Sequence, residues 1–209
     1  MIELPFSEQS FFRVFAEYHE ALWPAPVLLT GLALVTAFGL FRGDARVGRW
    51  VSGVLAVLWA WAGLAYHLAF FSRINSAAYV FALLSLVAAA VFVWYGVIQG
   101  RMRFAWPGGW RGVTGLVLLV FALSGYPLWV WLAGHSYPAA PTFGLPCPTT
   151  LFTLGVLAFL VRPYPRAPFI VPLLWCVVGV QAALALDMPP DTSLALAAVA
   201  GAVLALRNR

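Results

Sequence analysis

The stretch AAYVFALLSLVAAAVFVWYGVIQGRMRFAWPGGWRG, residues 77–112, decides the fold class. Its first 23 residues, Ala77–Gln99, contain no Asp, Glu, Lys, Arg or His. A helix needs about 20 apolar residues to cross a hydrocarbon core of ~30 Å, so this run is long enough to span one. Arg101, Arg103 and Arg111 follow directly. An apolar run closed by arginines marks a helix that ends at a cytoplasmic face.

Working outward in both directions, the same alternation recurs along the chain. The expected spans are Pro24–Phe41, Arg49–Phe71, Ala77–Gln99, Val113–Gly134, Pro148–Val161, Pro168–Leu186 and Thr192–Leu206. Charged residues are only 9% of the 209, against about a quarter in soluble proteins. No soluble domain fits between the spans, so the chain reads as all-α, a polytopic membrane helix bundle forming a single membrane domain over residues 1–209. The fifth and seventh spans are short, and six spans is the alternative count.

Charge arbitrates between the two counts. With seven transmembrane helices, one side collects Arg42, Arg46, Arg49, Arg101, Arg103, Arg111, Arg162, Arg166, Arg207 and Arg209 with only Asp44, a net +9. The other side holds Arg13 and Arg73 with Glu3, Glu8, Glu17, Glu20, Asp187 and Asp191, a net −4. Six spans would place one arginine cluster on the wrong side. The positive-inside rule then sets the N-terminus outside and the C-terminus in the cytoplasm.

The acidic first 22 residues are the reverse of a signal peptide's basic start, so no cleaved leader is expected. Within residues 7–22, Ser7 can cap a helix and Glu8 suits its first turn. Phe11, Phe15, Tyr18 and Leu22 share one face at helical spacing. This is the pattern of an amphipathic helix lying in the outer membrane interface.

A weak repeat relates the first three spans (24–99) to the last three (148–206). PAP at 24–26 matches PCP at 146–148, and LWAWAG at 58–63 matches LWCVVG at 174–179. Two like-oriented triplets need a linking helix, which 113–134 supplies, giving a 3+1+3 plan. Parallel repeats of this kind are a transporter design with the site between the halves. The plan is similar to that of the SWEET sugar permeases, although their proline-glutamine motif is missing.

Several function classes are excluded. The chain has no lysine, so a retinal Schiff base cannot form. Its arginines are scattered through short loops with no basic stripe, which argues against nucleic acid. Cys147 and Cys176 make no CxxC motif. Trp23, Trp50, Trp106, Trp110 and Trp131 fall near span ends, as interface belts do.

Chemistry is expected in the outer loop over residues 135–147, within GHSYPAAPTFGLPCPTT at 134–150. Four prolines make it stiff and unsuited to helix or sheet, so it can pack back over the bundle where protein or a cavity covers its backbone. Cys147 stands at the start of the fifth helix. His19, His67 and His135 all fall at the outer side, and histidine is both the commonest metal ligand and a titratable group near neutral pH. The candidate ligand-binding residues are therefore His67, Arg73, His135 and Cys147; the candidate metal ligands are His19, His67 and His135, for a divalent ion such as zinc. Histidines that merely bond to backbone are the plainer alternative.

YHLAFFSRIN at 66–75, the 134–150 loop and the WPAP entry to the first span together resemble an uncharacterised family of bacterial polytopic membrane proteins, a domain of unknown function. The resemblance covers nearly the whole chain and implies a bacterial inner-membrane setting, but no activity. Three functions stay open. One is a transporter or ligand-binding protein for a small solute or metal ion, with an outward-facing polar pocket. Another is an intramembrane metal-dependent hydrolase using Glu17 or Glu20 to activate water. The third is a structural subunit of a membrane complex. Expected partners are the lipid bilayer, the small solute or metal ion and, as one option, a second copy of the chain.

Overall fold

A computed structural model describes residues 5–42 and 44–207. Glu3 and Arg209, counted in the charge division above, lie outside the described residues. Every long element is a helix: α1 Glu8–Ala21, α2 Ala25–Gly39, α3 Ala45–Trp61, α4 Ala78–Phe92, α5 Gly109–Val120, α6 Tyr126–Leu132, α7 Pro146–Leu157, α8 Ala167–Ala185 and α9 Ser193–Leu206. Short π-helical stretches extend α3 over Ala62–Leu68 and α4 over Val93–Ile98, and join α5 to α6 through Phe121–Gly125. Five continuous helical segments, Ala45–Arg73, Ala78–Ile98, Gly109–Leu132, Ala167–Ala185 and Pro189–Leu206, are long and apolar enough to cross a membrane.

The remaining three helices behave differently. α1 and α2 meet at a bend of 85°, so α1 lies across the end of the bundle. As expected, Ser7 caps α1, its hydroxyl accepting from the Ser10 N–H. The destination of the apolar face differs from the sequence expectation. Val14, Phe15 and Tyr18 are buried against Tyr66, Phe70, Phe71 and Leu145 rather than turned outward. Periodicity locates an apolar face but does not say whether lipid or protein covers it.

α7 is the centre of the molecule. At 12 residues it spans about 18 Å. It packs against α3, α5, α8 and α9, and Leu151, Phe152, Leu154, Val156 and Leu157 are wholly buried. The other helices instead present large apolar side chains outward, among them Leu28, Phe38, Leu83, Val117, Leu184 and Leu196. Trp23, Trp50, Trp106, Trp110 and Trp131 are also exposed.

Arginine-bearing ends gather at one pole. The Val161 N–H donates to the Arg103 carbonyl at 2.8 Å, and Arg111 Nη2 donates to the Leu160 carbonyl at 2.8 Å. Phe41, at the end of α2, stacks on Trp106 and meets Phe159 edge-on. Residues aligned by the internal repeat make matching contacts. A Cβ on Gly63 would press on Ala82 and Ser85 of α4, and one on Gly179 would press on Leu194 of α9. Each glycine thus lets its helix approach a neighbour, α3 to α4 at Gly63 and α8 to α9 at Gly179.

Candidate functional site

At the opposite pole α1, the loop before α7 and the ends of α3, α4 and α8 enclose a cavity of about 70 Å3. Its polar wall is built from distant parts of the chain. Tyr126 opens α6, directly after a π-helical stretch that rotates the following residues relative to α5. Asp191 sits on the 3-10 turn Pro189–Thr192 that leads into α9. Cys147 is in the first turn of α7. The Tyr126 hydroxyl donates to Asp191 Oδ1 at 2.6 Å, and Cys147 lines the same cavity. Asp191 is only 6% exposed.

His67 forms the facing wall, carried on the π-helical extension of α3. Four aromatic rings surround it, with centroids at 5.1 Å for Tyr66 and Trp175, 5.7 Å for Phe81 and 6.1 Å for Phe71. Both of its ring nitrogens are buried without a hydrogen-bond partner. Trp175 Nε1 is likewise buried without a hydrogen-bond partner, and its indole lines the same cavity as Cys147. Buried polar groups are nearly always satisfied, so several orphaned around one cavity mark a place built to be filled.

The residues singled out from the sequence are distributed as follows. His67 and Cys147 line this same cavity. His135 lines a separate hollow of about 340 Å3 behind Pro141 and Pro148, and its ring stacks on Phe12 at 4.3 Å. Arg73 lies on the surface over the Phe70 ring and pairs with Glu17 at 3.4 Å. His19 is buried between α1 and the proline-rich loop. The three histidines therefore keep separate partners. Among the described residues no three His, Cys, Asp or Glu side chains form a group that could hold a metal ion.

Tyr126, Trp175 and Asp191 were not picked out as site residues from the sequence. Asp191 reads there as part of a polar turn, and its partner lies 65 positions away. Trp175 had one available signal, its match to Trp59 in the repeat. Trp59 Nε1 donates to Thr153 at 3.1 Å, whereas the Trp175 nitrogen is left over.

The proline-rich loop packs back over the bundle, with Pro141, Phe143, Leu145 and Pro146 buried. His19 ties it to α1. A carbonyl can only accept, so Nδ1, 2.6 Å from the Pro138 oxygen, carries the proton, and Nε2 accepts from the Thr142 hydroxyl at 2.6 Å. Burial pulls the His19 pKa below its usual value, against smaller raising effects of the Pro138 and Phe15 backbone bonds. A histidine held neutral when folded stabilises fully above its unfolded pKa of ~6.5, and that contribution fades as pH falls below it. Amide protection factors across Glu8–Ala21, corrected for the intrinsic base-catalysed rate, should therefore fall between about pH 7 and 5. His19→Gln should flatten this dependence; an unchanged slope would show that another group governs α1 docking.

Apolar outward-facing helices around a mainly apolar cavity with a few polar groups in its wall define an all-helical, bundle-type chain. Over residues 8–209 it matches the model of a family of unknown function (DUF6064), and it belongs to that family. No curated protein sequence and no solved structure matches it.

Proposed function

We propose that this chain is an integral protein of the bacterial inner membrane that binds, and by its 3+1+3 plan transports, a small solute through the cavity beneath α1. The observation that carries the reading is the convergence of unpaired His67 nitrogens, the unpaired Trp175 N–H and the hydrogen-bonded Tyr126–Asp191 pair on one cavity, with Cys147 in its wall. A purely structural role gives no reason to leave these groups unbonded, since each costs roughly 1–3 kcal/mol.

Seven crossings are supported by the ends of α2 and α7. α2 starts near Tyr137, which Trp23 contacts, and ends at Trp106. α7 starts at the cavity and ends with Phe159 at the arginine pole. Positive-inside orientation then turns the cavity pole outward. The metal-dependent hydrolase has weaker support, because Glu17 is engaged with Arg13 and Arg73 at the surface.

Reporter tags at Gly108 and the C-terminus are expected to read cytoplasmic, and a tag at Ala140 external. A cytoplasmic Ala140 would sink the outward-facing site. In parallel, a screen of small amines, acids, alcohols and sugars should raise the unfolding midpoint of the purified protein, and His67→Ala should remove that rise.

A further inference from the structure

The same cavity also carries an inference about charge, resting on the reading that it is a solute site. The Tyr126 hydroxyl donates to Asp191 at 2.6 Å, and both side chains line the cavity beside Cys147. A phenol that donates to a carboxyl oxygen favours the ionised form of that carboxyl. Yet among the described residues no Arg lines the cavity, and Arg73 is occupied at the surface by Glu17. A buried carboxylate without a counter-charge is costly unless something brings one.

The rest of the wall suits a cation. Tyr66, Phe71, Phe81 and Trp175 surround the His67 edge of the cavity, and aromatic faces attract ammonium groups, most strongly when water is excluded. A neutral His67 ring offers one acceptor nitrogen with nothing bonded to it. An N–H donor seated here would meet the Asp191 carboxylate, a free imidazole nitrogen and ring faces. Divalent metals are poorly served by the same wall, which lacks a three-ligand group among the described residues. The small volume favours a compact ligand. A second hollow of about 180 Å3 shares Phe11, Phe71 and Phe81 with the cavity and reaches Asn75 and Gln181, giving a longer substituent somewhere to extend.

We infer that the cavity beneath α1 binds a small protonated amine, with Asp191 as counter-ion, His67 as hydrogen-bond acceptor and the surrounding aromatic rings as a cation-π cage.

The test uses the full chain purified in detergent, titrated calorimetrically with methylammonium chloride, potassium chloride and methanol. Methylammonium and methanol are close in size and differ in charge, so the wild-type comparison decides without any variant. Methylammonium should bind saturably and at least tenfold tighter than either control, and Asp191→Asn should weaken it at least tenfold. Saturable methanol binding that equals methylammonium would overturn the cation inference while leaving the solute pocket standing, as would Asp191→Asn folding normally and binding undiminished. Absence of saturable binding by methylammonium overturns the inference. If no solute in the wider screen shifts the unfolding midpoint either, the solute-site reading falls as well.

Discussion

Replacing His67 by Phe is expected to make the protein more stable and functionally inert. The imidazole is wholly buried, both nitrogens lack partners, and four aromatic rings surround it. An apolar ring of similar shape removes the unsatisfied groups and keeps the packing, so stability should rise by about 1–3 kcal/mol. Binding of the cavity's solute should fall at least tenfold, because the acceptor nitrogen is gone. Stability–function conflict of this kind is the mark of a group kept for its chemistry. Unfolding in a denaturing-detergent titration and calorimetric binding read the two effects separately. A destabilised His67→Phe protein would mean the imidazole supports the fold, and undiminished binding would place the site elsewhere.

Gly48→Ala should cost folding far more than the same change at Gly53, the other glycine of α3, whose added Cβ would stand 3.9 Å from Val97. A Cβ at Gly48 would stand 2.5 Å from the Met102 carbonyl oxygen, 3.6 Å from its carbon and 3.7 Å from Arg103 Cα. These are backbone atoms, and the loop that carries them is held by the Arg103–Val161 hydrogen bond of 2.8 Å. Neither side can yield cheaply, so the loss should reach the upper part of the ~1–3 kcal/mol range for overpacking. Gly31→Ala is the control, since nothing lies within 4 Å of the added methyl on α2. It should be neutral or stabilising by up to ~1 kcal/mol through helix propensity. Equal effects of the two substitutions would mean that the α3 contact relaxes freely.

The helices were legible because long uncharged runs are visible in the sequence whatever the tertiary contacts. Ala78–Ile98 falls within the Ala77–Gln99 run read from residues alone. α7 was less legible. Its three threonines and two prolines resemble a marginal span, whereas in the fold Thr150 and Thr153 return their hydroxyls to the Pro146 and Thr149 carbonyls inside a protein-lined core. At the site, residue type pointed to His67 and Cys147 because few titratable side chains occur in such a chain. It pointed equally to His135 and Arg73, whose surroundings are set by Phe12 and Glu17 rather than by their own chemistry. Asp191 and Tyr126 come together only through the packing of α6 against the start of α9, which no local pattern encodes.

The burial of α7 on every side bears on how the chain is made. Insertion machinery selects segments one at a time by their length and apolarity, and a 12-residue helix opening Pro-Cys-Pro-Thr-Thr is a poor candidate on its own. α8, with 19 residues and an apolar surface, is a good one. In the seven-crossing arrangement, α7 is therefore drawn in as the leading arm of a hairpin with α8, and finds protein on all sides only after α9 has emerged and docked. Until then its threonines face lipid or water. On the proposed seven-crossing arrangement the last third of the chain assembles before α7 is covered, and a truncation after α8 should leave a species that quality-control proteases recognise.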